Sequence, residues 1–248
     1  QLCNESKTPC ITIGATNAKV TVNEDTGAVH PYMFRVSFAD SYQGSAMANF
    51  AFKELGIKEV ATIAGVDDLY AQGILKYFTD EFKRLGGKIV NAQSYQTSDV
   101  EFRAQLSAID NSGAKVLYSP ACEYKYATLI AKQAEQLGLE FTYLFPDGVY
   151  APELMETAGP QVEGAYLSTP MTDDAPEYAD YKKAFDARHK KTGYKANIYA
   201  YYGMDGIMLL EWAVKKTKSF DGEVLKKALE SAKNVPLFTE SFTIDPKT

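Results

Sequence analysis

Histidine and cysteine are scarce in this chain, with two and three copies among 248 residues, and basic side chains are outnumbered. There are 26 lysines and arginines against 32 aspartates and glutamates, a net charge of −6. That balance excludes the basic face with which a protein neutralises nucleic-acid phosphates. No stretch approaches the ~20 consecutive apolar residues of a membrane helix, and the opening residues, Gln1 to Lys7, are polar, without an apolar leader run. His30 and His189 fall in segments that predict no shared site, so Cys122 lacks the base that would activate it as a nucleophile. Neither histidine nor cysteine clusters at metal-ligand spacing. Three cysteines cannot all pair within one chain. Cys3 and Cys10 are near enough to close a small loop, and reduced, partly buried thiols are the alternative.

The missing motifs narrow the function further. There is no G-x-x-x-x-G-K-[ST], no G-x-G-x-x-G after a strand, no G-x-S-x-G and no H-E-x-x-H. What is present is an ordinary globular mixture, 46% hydrophobic and 23% charged, in a length that allows one large α/β domain or two lobes.

From residue 58 the pattern alternates regularly. Glu59 to Ala64 is a short apolar run ending at Gly65, as a buried parallel strand reads. Ile74, Phe78, Phe82 and Leu85 then recur at helical spacing up to Gly86-Gly87. Further strands are expected at Lys88–Val90, Val116–Tyr118 and Phe141–Phe145. Helices striped by Phe102, Leu106 and Ile109, and by Ala127, Ile130, Ala131, Ala134 and Leu137, lie between them. Strand centres near 60, 89, 116 and 142 are separated by 29, 27 and 26 residues, close to the ~30 of a βαβ unit. Right-handed crossovers make such strands parallel, with helices on both faces.

The ends read differently. Cys10–Gly14 is expected as a strand with no earlier partner, and Met33–Phe38 as another, followed by Ala39-Asp40-Ser41 as a helix cap. Thr169–Pro176 has the composition of a linker. Three helices, near 177–191, 199–216 and 222–232, and a late strand near 241–244 look like the cover of a sheet whose strands lie elsewhere.

In an open parallel sheet, ligands bind beyond the carboxyl ends of the strands. The loops Gly65–Tyr70, Ser119–Tyr124 and Pro146–Tyr150 each carry carboxylates and a tyrosine, which suit an ammonium or polyhydroxyl group. Simpler roles stand beside this: Asp68 as a helix cap, Asp147 before Gly148 as turn chemistry, the tyrosines as surface. An acid–base cluster of Asp67, Asp68 and Glu123 is the enzymatic alternative. The lack of catalytic apparatus points to binding instead.

The segments Gly14-Ala15-Thr16-Asn17, Phe34-Arg35-Val36, Gln43-Gly44, Leu85–Val90, Ser94-Tyr95-Gln96 and Asp99–Phe102 are followed by Ile130–Ala134, Leu137-Gly138, Asp147-Gly148, Pro152-Glu153-Leu154 and Gly164-Ala165-Tyr166. In this order and spacing the chain resembles the type I periplasmic binding proteins of the leucine/isoleucine/valine-binding family, the solute receptors of branched-chain amino-acid ABC importers. The resemblance covers nearly the whole chain. It implies a two-lobed α/β fold of parallel, doubly wound sheets that clamps a small ligand, with residues 1–40 and 170–238 in the first lobe and 41–169 and 239–248 in the second. Members are longer, and the part without a counterpart is mainly the start of the first lobe, so the chain resembles an N-terminally truncated member.

Position by position, the resemblance gives Ala15 and Thr16 the charged ends of an amino acid, Tyr70 a place facing the cleft, and Asp147 the ligand ammonium. Tyr201 or Tyr202 would close over the ligand. At Ala121-Cys122, where the family often has an aromatic that packs on the ligand, the side chains are small, and Tyr124 or Tyr150 is the available substitute. Further implications are a small-molecule ligand, an amino acid or related amine-bearing metabolite, an ABC permease as partner, no cofactor, and a periplasmic or extracellular location with a possible lipid anchor. A sensory or regulatory module of the same fold is the alternative.

Overall fold

The computed structural model describes residues 2–23, 25–172 and 175–247. A short helix, α1 (Leu2–Glu5), leads into β1 (Cys10–Thr12), and a Cys3–Cys10 disulfide ties the two together. The small-loop pairing is thus the one found. The partner of β1 comes later in the chain: it pairs in parallel with β2 (Met33–Arg35), Cys10 opposite Met33 and Thr12 opposite Arg35. Both strands are shorter than the apolar runs that suggested them.

The next helix, α2 (Asp40–Asn49), begins without a side-chain cap. Ala39, the first residue of the expected Ala39-Asp40-Ser41 cap, is the capping position, and Asp40 lies in the first turn. Over Phe50–Glu54 the helix widens into a π turn. Then come β3 (Glu59–Gly65), α3 (Leu69–Arg84), β4 (Lys88–Tyr95), α4 (Arg103–Asn111), β5 (Val116–Tyr118), α5 (Tyr124–Gln136), β6 (Thr142–Phe145), α6 (Pro152–Ala158) and β7 (Tyr166–Leu167). The five strands β3–β7 form one parallel sheet in the order β4-β3-β5-β6-β7.

Each face of this sheet carries its own core. Met47, Ile74, Phe78, Phe82 and Tyr118 pack on one side, with Phe78 stacked on both Phe82 and Tyr118. Phe102, Leu106, Ile109, Ile130, Tyr143 and Phe145 fill the other. The spacing of apolar residues in α3, α4 and α5 thus becomes burial.

After β7 the chain forms α7 (Ala179–Arg188), α8 (Ile198–Thr217) and α9 (Gly222–Glu230), then the antiparallel pair β8 (Val235–Pro236) and β9 (Ser241–Phe242). Asn197 caps α8 through Tyr199 N–H and Ala200 N–H, and Asp221 caps α9 through Val224 N–H. Phe34, Leu209, Ala213, Leu225, Leu229 and Val235 form their core.

The chain divides into two compact units, one of Gln1–Phe38 with Met171–Thr248 and one of Ala39–Pro170. Residues 239–248, expected in the second lobe, therefore fall in the first unit. The reason is buried Asp205, whose Oδ1 accepts from the N–H groups of Phe238 and Thr239 at 2.7 and 3.0 Å, while Oδ2 accepts from the Thr239 hydroxyl. Farther on, Ile244 N–H donates to the Ala232 carbonyl at 3.1 Å.

Gly44 sets how closely α2 approaches α3. A Cβ there would lie 2.7 Å from the Ile74 carbonyl oxygen and 2.9 Å from the Phe78 nitrogen. Gly44→Ala is expected to lower unfolding stability by about 1–3 kcal/mol, read as a shift in the urea midpoint. An unchanged midpoint would show that the two helices can separate at no cost.

Candidate functional site

Parallel pairing brings the ends of β3, β5, β6 and β7 to one edge of the five-stranded sheet. Asp147 follows β6 in a 3-10 turn, Asp147–Val149, and is buried. Its Oδ1 accepts from the Tyr70 hydroxyl at 2.5 Å and from Gln43 Nε2 at 2.8 Å. The same Gln43 nitrogen donates to the Ser168 carbonyl beyond β7, at 3.1 Å. The Tyr70 oxygen accepts from Gly148 N–H at 3.0 Å. Gly148 allows this closeness, because a Cβ would stand 2.8 Å from Tyr70 Cε1 and collide with the Ala121 carbonyl oxygen.

Burial raises the Asp147 carboxyl above the usual aspartate range, and the hydrogen bonds from Tyr70 and Gln43 pull it partly back. The main influences on it include no basic side chain. Burial first, and the Asp147 charge second, hold the Tyr70 phenol far above its ordinary value. Beside this cluster, the hydroxyls of Tyr118 and Ser119 are buried without a hydrogen-bond partner among the described residues. The edge therefore has polar capacity beyond what the chain itself uses.

The neighbouring carboxylates have structural work. Asp68 Oδ1 caps α3, accepting from Tyr70 N–H at 3.0 Å and Ala71 N–H at 3.1 Å, and its Oδ2 accepts from Cys122 N–H at 3.2 Å. Asp67 accepts from the backbone N–H and hydroxyl of Thr97 at 2.9 and 2.7 Å. Glu123 is exposed and pairs with Lys125 at 3.0 Å. Each of the three is thus engaged separately, and the enzymatic cluster is not assembled. Cys122 is exposed, and desolvation followed by the Asp68 charge pushes its thiol up, opposite to what activation requires. Tyr150 is 37% exposed, its N–H donating to the Asp147 carbonyl at 2.8 Å. Among the described residues no group of three or more His, Cys, Asp or Glu could hold a metal ion.

Ala15 and Thr16 belong to the first unit, in the loop after β1. Ala15 N–H donates to Thr12 Oγ1 at 3.1 Å, and Thr16 is buried. Arg35 fixes this loop by donating to the carbonyls of Thr16 and Asn17, at 3.1 and 2.9 Å, and to Thr21 Oγ1 at 3.2 Å. Tyr202 is buried on α8. Tyr201 has no exposed surface and packs among Tyr178, Tyr181 and Phe238. Tyr199 instead lies against the loop: a Cβ on Gly14 would be 3.1 Å from its ring, and Tyr199 is 43% exposed. Sequence reasoning missed Tyr199, and it missed Gln43 and Ser168 as parts of the Asp147 cluster. Gln43 had a signal in its neighbour Gly44, whose close approach to α3 brings α2 to the site.

Comparison with known proteins follows the same lines. A model of the periplasmic binding protein family matches residues 1–248. An amino acid binding protein of Pseudomonas aeruginosa is 29% identical over 240 residues, 96% of this chain and 61% of that protein. A Leu/Ile/Val-binding protein homolog of Brucella suis is 26% identical over 222 residues, 89% of this chain and 57% of that protein. Among solved structures, a leucine binding protein from Thermotoga maritima superposes with a TM-score of 0.83 at 29% identity, covering 99% of this chain and 68% of that one. The chain thus spans about 60% of the length of these curated relatives. It belongs to the periplasmic binding protein family, whose members are solute-binding proteins of the periplasm or cell exterior and not enzymes.

The raised Asp147 carboxyl has a defined consequence for stability. Its contribution is complete below the ordinary 3.8 and is lost as pH rises through the elevated folded value. Carbon-detected NMR titration is expected to place its midpoint above 3.8, and Tyr70→Phe to move it higher by removing a hydrogen bond to the ionised form. A midpoint at or below 3.8 would contradict burial as the dominant influence.

Proposed function

We propose, with membership of the periplasmic binding protein family as premise, that the chain is the ligand-binding part of an ABC importer's solute receptor. Its ligand is an amino acid or a related amine-bearing metabolite. The observation that carries this reading is a buried carboxylate without a cation. Asp147 accepts neutral hydrogen bonds from Tyr70 and Gln43, and no ion pair among the described residues includes it. Buried negative charge is expensive unless matched, and a ligand ammonium would match it. The position supports the same reading, since ligands of open parallel sheets sit beyond the carboxyl ends of the strands.

The curated relatives are named for binding amino acids, or leucine, isoleucine and valine, which supports an α-amino acid as the ligand class. Ala15 and Thr16 are proposed, from their matching positions, to receive its carboxylate. A permease in the membrane is the proposed partner that accepts the solute.

Calorimetry against a panel of amino acids and their des-amino analogues tests this directly. One ligand should bind with preference over its des-amino form. Asp147→Ala should weaken it at least about tenfold, a modest share of what losing a buried charge pair costs. Equal affinity in the variant, or no loss on removing the amine, would remove Asp147 from the site.

A further inference from the structure

The opposite edge of the five-stranded sheet, where the chain enters β6, holds a cavity. It measures about 420 Å³ and opens between the end of α5, the segment Gly138–Phe141 and the 3-10 turn Gly159–Val162. That volume lies within the ~300–1,000 Å³ typical of small-molecule sites. The chemistry of its lining is one-sided. Glu135, Glu140 and Glu163 contribute three carboxylates, and none of the lining residues is basic. No ion pair among the described residues involves these three. Among the described residues the Glu135 carboxylate accepts only from the Gln161 side-chain amide, at 2.7 Å.

Phe141 and Tyr143 supply the apolar wall, edge to face with ring centres 6.1 Å apart. Tyr143 is only 4% exposed, and its hydroxyl, which opens onto the cavity, makes no hydrogen bond among the described residues. The cavity thus combines the partly exposed Phe141 ring, an unused tyrosine hydroxyl and unneutralised carboxylates.

We propose that this cavity binds a small organic cation, an alkylguanidinium or alkylammonium compound, independently of the Asp147 edge. The cation's N–H groups donate to the Tyr143 hydroxyl and to the carboxylates, and its charge and alkyl stem lie against the Phe141 ring. Anions are rejected by the three carboxylates. Neutral alcohols forfeit the charge and are held weakly.

The test is an NMR titration of the chain, carrying carbon-13-labelled tyrosine rings, with agmatine as the probe and n-butanol and benzoate as neutral and anionic controls. Agmatine should shift the Tyr143 ring resonances saturably, and the controls should not. Tyr143→Phe keeps the ring and removes only the hydroxyl, and should weaken agmatine about fivefold. In that variant, amide resonances of Glu135–Phe141 report the titration. The exposed pair Glu140→Gln with Glu163→Gln should weaken it about threefold or more while leaving the circular dichroism unchanged. Absence of a saturable Tyr143 shift at millimolar agmatine would overturn the proposal. So would unchanged affinity in both variants, which would mark diffuse attraction to an acidic surface.

Discussion

Parallel pairing of β3 through β7 is the constraint from which most else in the second unit follows. A strand that pairs in parallel with its neighbour must be reached by a crossover, so a helix intervenes between successive strands and covers one face or the other. The loops leaving the strands then collect at one edge, although residues 43, 70, 147 and 168 are far apart in the chain. The loops entering the strands collect at the other edge, where Phe141 and Glu163 come together. Two chemically different edges are a consequence of a single direction of strand pairing.

Within the first of these edges, every position is defined by another. Gly44 lets α2 settle against α3, which brings Gln43 to Asp147. Asp68 caps α3 and so holds its second residue, Tyr70, at the edge, and Gly148 leaves room for the phenol. The cost of the buried carboxylate is carried by a scaffold that has large aromatic cores on both faces of the sheet. This is the usual distribution for a binding site, local electrostatic expense supported by packing elsewhere.

The second unit was largely legible from the sequence, because β3, β5 and β6 are apolar runs and α3, α4 and α5 carry apolar stripes closed by glycine. Ile74, Phe78 and Phe82, read as one face, are one buried face. The helix-cap reading of Asp68 needed only its place before a helix. The first unit was less legible. Its strands are two or three residues long and show no period. The placement of residues 239–248 depends on Asp205, thirty-four positions before Thr239, and no local pattern announces such a bond. Tyr201 and Tyr199 could not be told apart as core and surface, because α8 is apolar around much of its circumference. The Cys3–Cys10 pair was left open by spacing alone. Its presence agrees with a family that works outside the reducing cytosol.

Arg35 gives the loop after β1 a property that the Asp147 turn lacks. Its guanidinium holds the carbonyls of Thr16 and Asn17 and the Thr21 hydroxyl. None of these groups gains or loses a proton across the range a cell exterior experiences. The geometry of that loop is therefore indifferent to acidity, whereas Asp147 is built from a group that changes charge.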